Sequence, residues 1–191
     1  MGKRKEQTTR DAMQGLRSVD YRQLMWKQVA FGAREFELRA GADLVGRLYW
    51  PKWLSDRAVA RCVDSNWFID RLGFFRDKVI VTDLGSRIKV GSFEYNWLGD
   101  GKLSLVNGRA YQWYKTKAFS NSWAFVDQND VVILEIHDWM RCFKHEAEVK
   151  LRIGVTSLPE LQLLILIGWY LAYMNIQDTA AAVAATCVVV M

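Results

Sequence analysis

The stretch "HDWMRCFKH" puts His137, Cys142 and His145 within nine residues. Imidazole and thiolate are common zinc ligands, and a thiol beside an imidazole is a pair used in nucleophilic catalysis. The spacing fits no common zinc pattern, and strand alternation sets Cys142 on the opposite face from His145. No further motif supports a Cys–His nucleophile, so strand residues beside a turn are the better account. "GDGK" at 99–102 resembles the end of a phosphate-binding loop. The earlier glycine of such a loop would fall on Asn96, and Leu103 stands where a Ser or Thr must hold magnesium, so a turn is expected. There is no GxSxG and no glycine-rich nucleotide fingerprint. These readings predict a chain that is not an enzyme and that holds no metal and no cofactor.

"RAYQWYKTK" is more informative. Arg109, Tyr111, Trp113, Lys115 and Lys117 share one parity. Cations interleaved with aromatic rings can bind phosphate, a lipid headgroup or single-stranded nucleic acid. Hairpin order brings Arg87 and Lys89 onto nearby strands. Arg87, Lys89, Arg109, Lys115 and Lys117 are therefore the candidate ligand or phosphate patch. In the competing account Tyr111 and Trp113 point into a core, and the basic residues lie at strand ends in water.

The elements that must position these residues are strands. From Tyr21 to Ile153 the pattern has period two, broken by turns at short intervals. "REFELRA" sets Phe36, Leu38 and Ala40 against Glu35, Glu37 and Arg39, and "DLVGRLYW" sets Leu44, Gly46, Leu48 and Trp50 against Val45, Arg47 and Tyr49. Such alternation marks strands with one buried face. "KVIVTDLGSRIKVGSF" reads as a hairpin around 83–85, with Ile88 and Val90 inward and Arg87 and Lys89 outward. Asn107-Gly108 is a strong hairpin signal, because both residue types tolerate positive φ. A further turn is expected at 128–130. In "RCFKHEAEVKLRI", Phe143, Ala147, Val149, Leu151 and Ile153 share the inner face. The total is ten to twelve short strands, which suggests a sandwich or a barrel, and a barrel leaves no edge to protect. With no fixed-period repeat and no low-complexity linker, one domain is expected.

"TSLPEL" signals a helix start: Ser157 as cap, Pro159 in the first turn and Glu160 closing a capping box. The following "LQLLILIGWYLAYMN" is apolar on every side, which means burial all round or a membrane span. From Leu161 to Met174 a helix is about 21 Å long, against a hydrocarbon layer of about 30 Å. Extending it meets Asn175, Gln177 and Asp178, and no Lys or Arg follows Arg152. The segment is a poor span, but an apolar barrel lumen would enclose it well.

The chain has 191 residues, a formal charge of +5, nine Trp and only two Pro. The slight basic excess permits attraction to an anionic surface. Three scattered cysteines without a CxxC suit reduced thiols in the cytoplasm. The basic N-terminus has no apolar stretch behind it, so no secretory signal is read, and Glu6 breaks the myristoylation pattern. Residues 1–19 are expected to be a flexible basic tail, 20–175 the barrel with its central helix at 158–175, and 176–191 a C-terminal tail or short packed helix.

An antiparallel barrel closed around a C-terminal apolar helix resembles the tubby-like fold of tubby C-terminal domains, LURP-one-related proteins and phospholipid scramblases. The segments that carry the resemblance are "FELRAGADLVGRLYW", "VIVTDLGSRIKVGSF", "LSLVNGRAYQWY", "WAFVDQNDVVILEI" and "LLILIGWYLAYM". It is closest to the small bacterial and plant members. The resemblance implies a mainly β protein, a closed antiparallel β-barrel of about 12 strands around a buried α-helix. It also implies a non-enzymatic binding or scaffold domain, associating with anionic phospholipid or a membrane surface, or with a protein partner. No nucleic acid is expected, and the location is cytoplasmic or peripheral to a membrane. The scramblase cysteine cluster and proline-rich N-terminus are absent, which counts against lipid scrambling. The alternatives are a membrane-inserted protein anchored by its C-terminal apolar region, or an enzyme with a barrel-end pocket.

Overall fold

The computed structural model describes residues 13, 21–53, 55–73, 77–96, 99–116 and 121–189. The basic tail expected at 1–19 falls, apart from Met13, outside them. A single 3-10 turn at Tyr21–Gln23 leads into β1 (Leu24–Gln28), β2 (Glu35–Ala40), β3 (Asp43–Tyr49) and β4 (Ala58–Cys62). β5 (Asn66–Leu72), β6 (Lys78–Asp83), β7 (Lys89–Tyr95) and β8 (Gly101–Leu105) follow. The last four strands are β9 (Ala110–Lys115), β10 (Ser122–Val126), β11 (Val132–Arg141) and β12 (Lys144–Leu151), before the helix α1 (Leu161–Val189).

Each strand pairs antiparallel with its chain neighbours, and β1 also pairs with β12, with Trp26 opposite Ala147. The sheet is thereby a closed barrel of twelve strands with no free edge. Alternation places Leu24, Trp26, Phe36, Leu38, Ile69, Val81, Phe93, Leu103, Phe125, Ile136 and Val149 inside. α1 fills that lumen: Leu164 to Ile167 and Trp169 to Ala172 are wholly buried. Trp169 stacks on Trp26 at 6.2 Å and meets Phe36 edge-on at 5.2 Å. A barrel enclosing its own C-terminal helix is the tubby-like architecture.

Gly168 is where helix and wall come closest. A Cβ there would stand 2.9 Å from Ile136 Cδ1 and 3.4 Å from the rings of Phe125 and Trp113. Among the described residues no helix is long and apolar enough to cross a membrane. Beyond Met174 the helix continues without a break to Val189, exposed from Gln177 to Ala185.

Three local expectations are corrected. Ile88 is not inward: β7 starts one residue later, a register shift between Val81 and Thr82 offsets the pairing, and Ile88 is exposed in the turn. Gly91 and Phe93 face the core instead. Phe143 and Ile153 are likewise exposed, because Phe143 belongs to the β11–β12 turn with φ 63° and Ile153 lies past the end of β12. Ser157 does not cap α1. It ends a 3-10 turn and donates to the Gly154 carbonyl at 3.4 Å. The first helical hydrogen bond, from the Leu164 amide, goes to the carbonyl of Glu160 at 2.9 Å.

Candidate functional site

Antiparallel neighbours alternate their connections between the two barrel ends. The β2–β3, β4–β5, β6–β7, β8–β9 and β10–β11 loops lie at the end where α1 enters. The β1–β2, β3–β4, β5–β6, β7–β8, β9–β10 and β11–β12 loops lie where it leaves.

At the entry end, the β8–β9 turn is set by Gly108, with φ 85°, and by the Asn107 side chain, whose Oδ1 accepts from the Arg109 amide at 3.0 Å. This turn aims Arg109 at the start of α1. Its Nη1 donates to both carboxylate oxygens of Glu160, at 2.8 and 2.9 Å, and the Tyr111 hydroxyl donates to the same carboxylate. Burial works to raise the Glu160 carboxyl, but the Tyr111 and Arg109 hydrogen bonds outweigh it and hold the group below its usual range. Burial, and then the neighbouring carboxylate, push the Tyr111 hydroxyl well up. A hollow of about 420 Å³ beside this cluster is lined by Asn107, Arg109, Tyr111, Asp127, Gln128 and Leu158, among others.

A carboxylate with a depressed folded value stabilises the protein above its unfolded value, about 4.3. That contribution is lost as pH falls through the folded value. Glu160→Gln should therefore melt a few degrees below the native chain at pH 6. The difference should close towards pH 3. Thermal melts at the two pH values check this, and a gap that widens on acidification would contradict the assignment.

Four of the five residues of the expected patch are described, and they are divided between the two barrel ends. Arg87, in the β6–β7 turn, lies over the Phe68 ring at 5.2 Å, and Lys89 opens β7 opposite Thr82. These two share the entry end with Arg109, whose charge is taken up by Glu160. Lys115 ends β9 at the opposite end, with its Nζ 5.8 Å from the Trp123 ring centre. Lys117 lies outside the described residues. Tyr111 and Trp113, between the two ends, are buried in the wall.

The exit end carries a second hollow, of about 660 Å³, lined by Lys52, Ser55, Asp56, Arg57, Asp70 and Arg71, among others. Arg57 Nε pairs with Asp70 at 2.5 Å, and Arg71 Nη2 with Asp178 of the emerging helix at 2.7 Å. Arg34 donates to the carbonyls of Trp53 and Ser55 and lies over the Trp50 ring at 4.8 Å. The Tyr170 hydroxyl donates to the Asp56 carbonyl at 2.8 Å. These contacts tie the exit-end loops to α1, and the sequence offered no local signal for them.

The residues of "HDWMRCFKH" are dispersed. His137 faces outward, in contact with Ser122 through Nδ1. His145 faces inward, with Nδ1 3.1 Å from the buried Asp138 carboxylate and its ring edge-on to Tyr173 at 5.7 Å. Cys142 is in the turn between β11 and β12, with φ 49°. Among the described residues no group of three His, Cys, Asp or Glu side chains could hold a metal ion.

No protein-family profile matches this chain, and no curated protein matches it in sequence. A solved structure does match: an X-ray structure of a protein from Arabidopsis thaliana, with a TM-score of 0.51. The superposition covers 83% of this chain and 97% of the plant protein, at 10% sequence identity. The likeness is one of fold. It places the closed barrel with its internal helix among solved architectures and leaves function to the surface chemistry.

Proposed function

We propose that this chain is a non-catalytic binding or scaffold module of the tubby-like superfamily that associates with anionic phospholipid surfaces, working in the cytoplasm and peripherally at a membrane. One observation carries the reading: the lumen is filled by the chain's own helix, so any partner must bind outside. Ligand pockets in barrels of this kind normally occupy the mouth or the lumen. Here the mouths hold mixed-charge hollows in which Arg57, Arg71 and Arg109 are paired with Asp70, Asp178 and Glu160. The Glu160 carboxyl is shifted down and the Tyr111 hydroxyl up, both away from the neutral range in which acid–base catalysis works best. Burial, with Asp64 adding to it, pushes the Cys62 thiol up to about 12, which suits an inert core cysteine. The +5 charge supplies the attraction. Arg87, Lys89 and Lys115 contribute to it, and Lys117 is expected to add to it.

Each basic residue near an anionic surface contributes about 1 kcal/mol, decaying over a Debye length of about 10 Å at 0.1 M salt. The full chain should co-sediment with phosphatidylserine or phosphoinositide vesicles at low salt and not with phosphatidylcholine vesicles. Capture should fall when salt is raised before mixing, and again when residues 1–18 are removed. Failure to bind anionic vesicles at low salt would remove the lipid reading.

A further inference from the structure

The strand order places the β11–β12, β1–β2 and β3–β4 loops side by side at the helix-exit end. All three present large apolar side chains to solvent. Phe31 is 73% exposed, Trp53 68%, Met140 61% and Phe143 76%. Phe31 and Phe143, on different loops, meet edge to face at 6.2 Å, so the tips form a joint patch. Among the described residues, the exposed large apolar side chains at the entry end are Val63, Ile88, Val106 and Ile153, with no Phe or Trp among them. Exposed apolar patches of this kind mark interaction surfaces. Trp and other aromatics at loop tips fit the interfacial layer of a bilayer, where one side of the ring is wet.

These loops and the strand ends that flank them carry Arg34, Lys52, Arg57, Arg141 and Lys144 against two acidic residues, Glu35 and Asp56. Basic side chains around apolar tips complement an anionic headgroup layer. The third feature is α1, which leaves the barrel at this end with Asp178 pinned to Arg71 and Ala180 to Ala185 exposed. No charged residue follows Asp178. A folded partner would need a socket for this projecting apolar rod beside a seat for the aromatic tips. A bilayer accepts both without a built cavity.

We propose that the helix-exit end is the membrane-seating face, where Phe31, Trp53, Met140 and Phe143 enter the interfacial layer of an anionic bilayer and Arg34, Lys52, Arg141 and Lys144 meet its headgroups. This rests on the lipid reading above and adds the face and the mode of contact. The barrel axis then stands across the membrane plane, with the entry end and its Arg109–Glu160 pair away from the lipid.

Cys142, exposed between these tips, is a built-in reporter position. The full chain carrying Cys187→Ser is labelled at Cys142 with a polarity-sensitive fluorophore and mixed with vesicles of seven parts phosphatidylcholine to three parts phosphatidylserine. Emission should shift to the blue and rise several-fold, and lipids brominated near the glycerol should quench it. The same label on Gln128→Cys, at the entry end and with Cys142→Ser, should not respond. Lys52→Ser with Lys144→Ser should weaken vesicle affinity about thirtyfold, whereas Arg87→Ser with Lys89→Ser should change it less. The triple variant Phe31→Ser, Trp53→Ser, Phe143→Ser should lose the emission change at an unaltered melting temperature. Co-sedimentation without any response at Cys142, a response at position 128 instead, or a triple variant that responds like the native chain would overturn the assignment while leaving lipid association intact. No vesicle association at any composition would overturn both.

Discussion

A chain ending at Gly154 should not fold. Eleven large side chains of α1, namely Leu161, Leu163 to Ile167, Trp169 to Leu171, Tyr173 and Met174, are buried in the lumen. At about 1.5–3 kcal/mol for each fully buried side chain, their removal outweighs the whole stability of an ordinary domain, about 5–15 kcal/mol. It would also leave Trp26, Phe36, Phe125 and Ile136 lining a water-filled bore. The expected product is insoluble or gives no cooperative melt. A soluble truncated protein with a sharp transition would show that the barrel stands without its helix. A milder change probes the same contact. Gly168→Leu must drive a side chain into Ile136, Phe125 and Trp113, at a cost of about 1–3 kcal/mol by overpacking.

Trp113→Ala should cost about 3–5 kcal/mol and lower the melting temperature by on the order of 10 °C. Trp113 is 2% exposed, lies 4.6 Å from Phe125 between ring centres, and faces the helix at the level of Gly168. The cavity left by an indole cannot collapse between a closed sheet and a rigid helix. Lys115→Ser, two residues along the same strand, should change stability by less than about 0.5 kcal/mol, because Lys115 is at the strand end and exposed. Thermal or denaturant melts of the two variants separate wall from rim. An unaffected Trp113→Ala protein would mean that β9 presents its other face to the core.

What the sequence determined by itself is local and periodic. Alternation in "REFELRA" predicts β2 with its correct inner face, because one buried side of a sheet imposes a period of two on a strand, whereas in "DLVGRLYW" a bulge opposite Leu38 and Arg39 buries Val45 in the core, against the outward place its parity gave it. Gly108 marks its turn because positive φ is costly for other residues. The all-apolar run from Leu161 to Met174, too short and too poorly flanked to span a bilayer, implies an enclosure, and a barrel without edges is the enclosure that many short strands can make. Tertiary structure decided what depends on register and closure. The shift between Val81 and Thr82 moved Ile88 out of the core, although its local pattern is indistinguishable from that of its neighbours. Glu160 looks like half of a capping box, yet its carboxylate partners are 51 and 49 residues away on β9 and its preceding turn. Strand direction split Arg109 from Lys115 across the barrel, because shared parity puts residues on one face but does not put them at one end. The same closure brought Phe31, Trp53 and Phe143 to one rim from three separate loops, since a loop's neighbours are fixed by strand order around the barrel and not by distance along the chain.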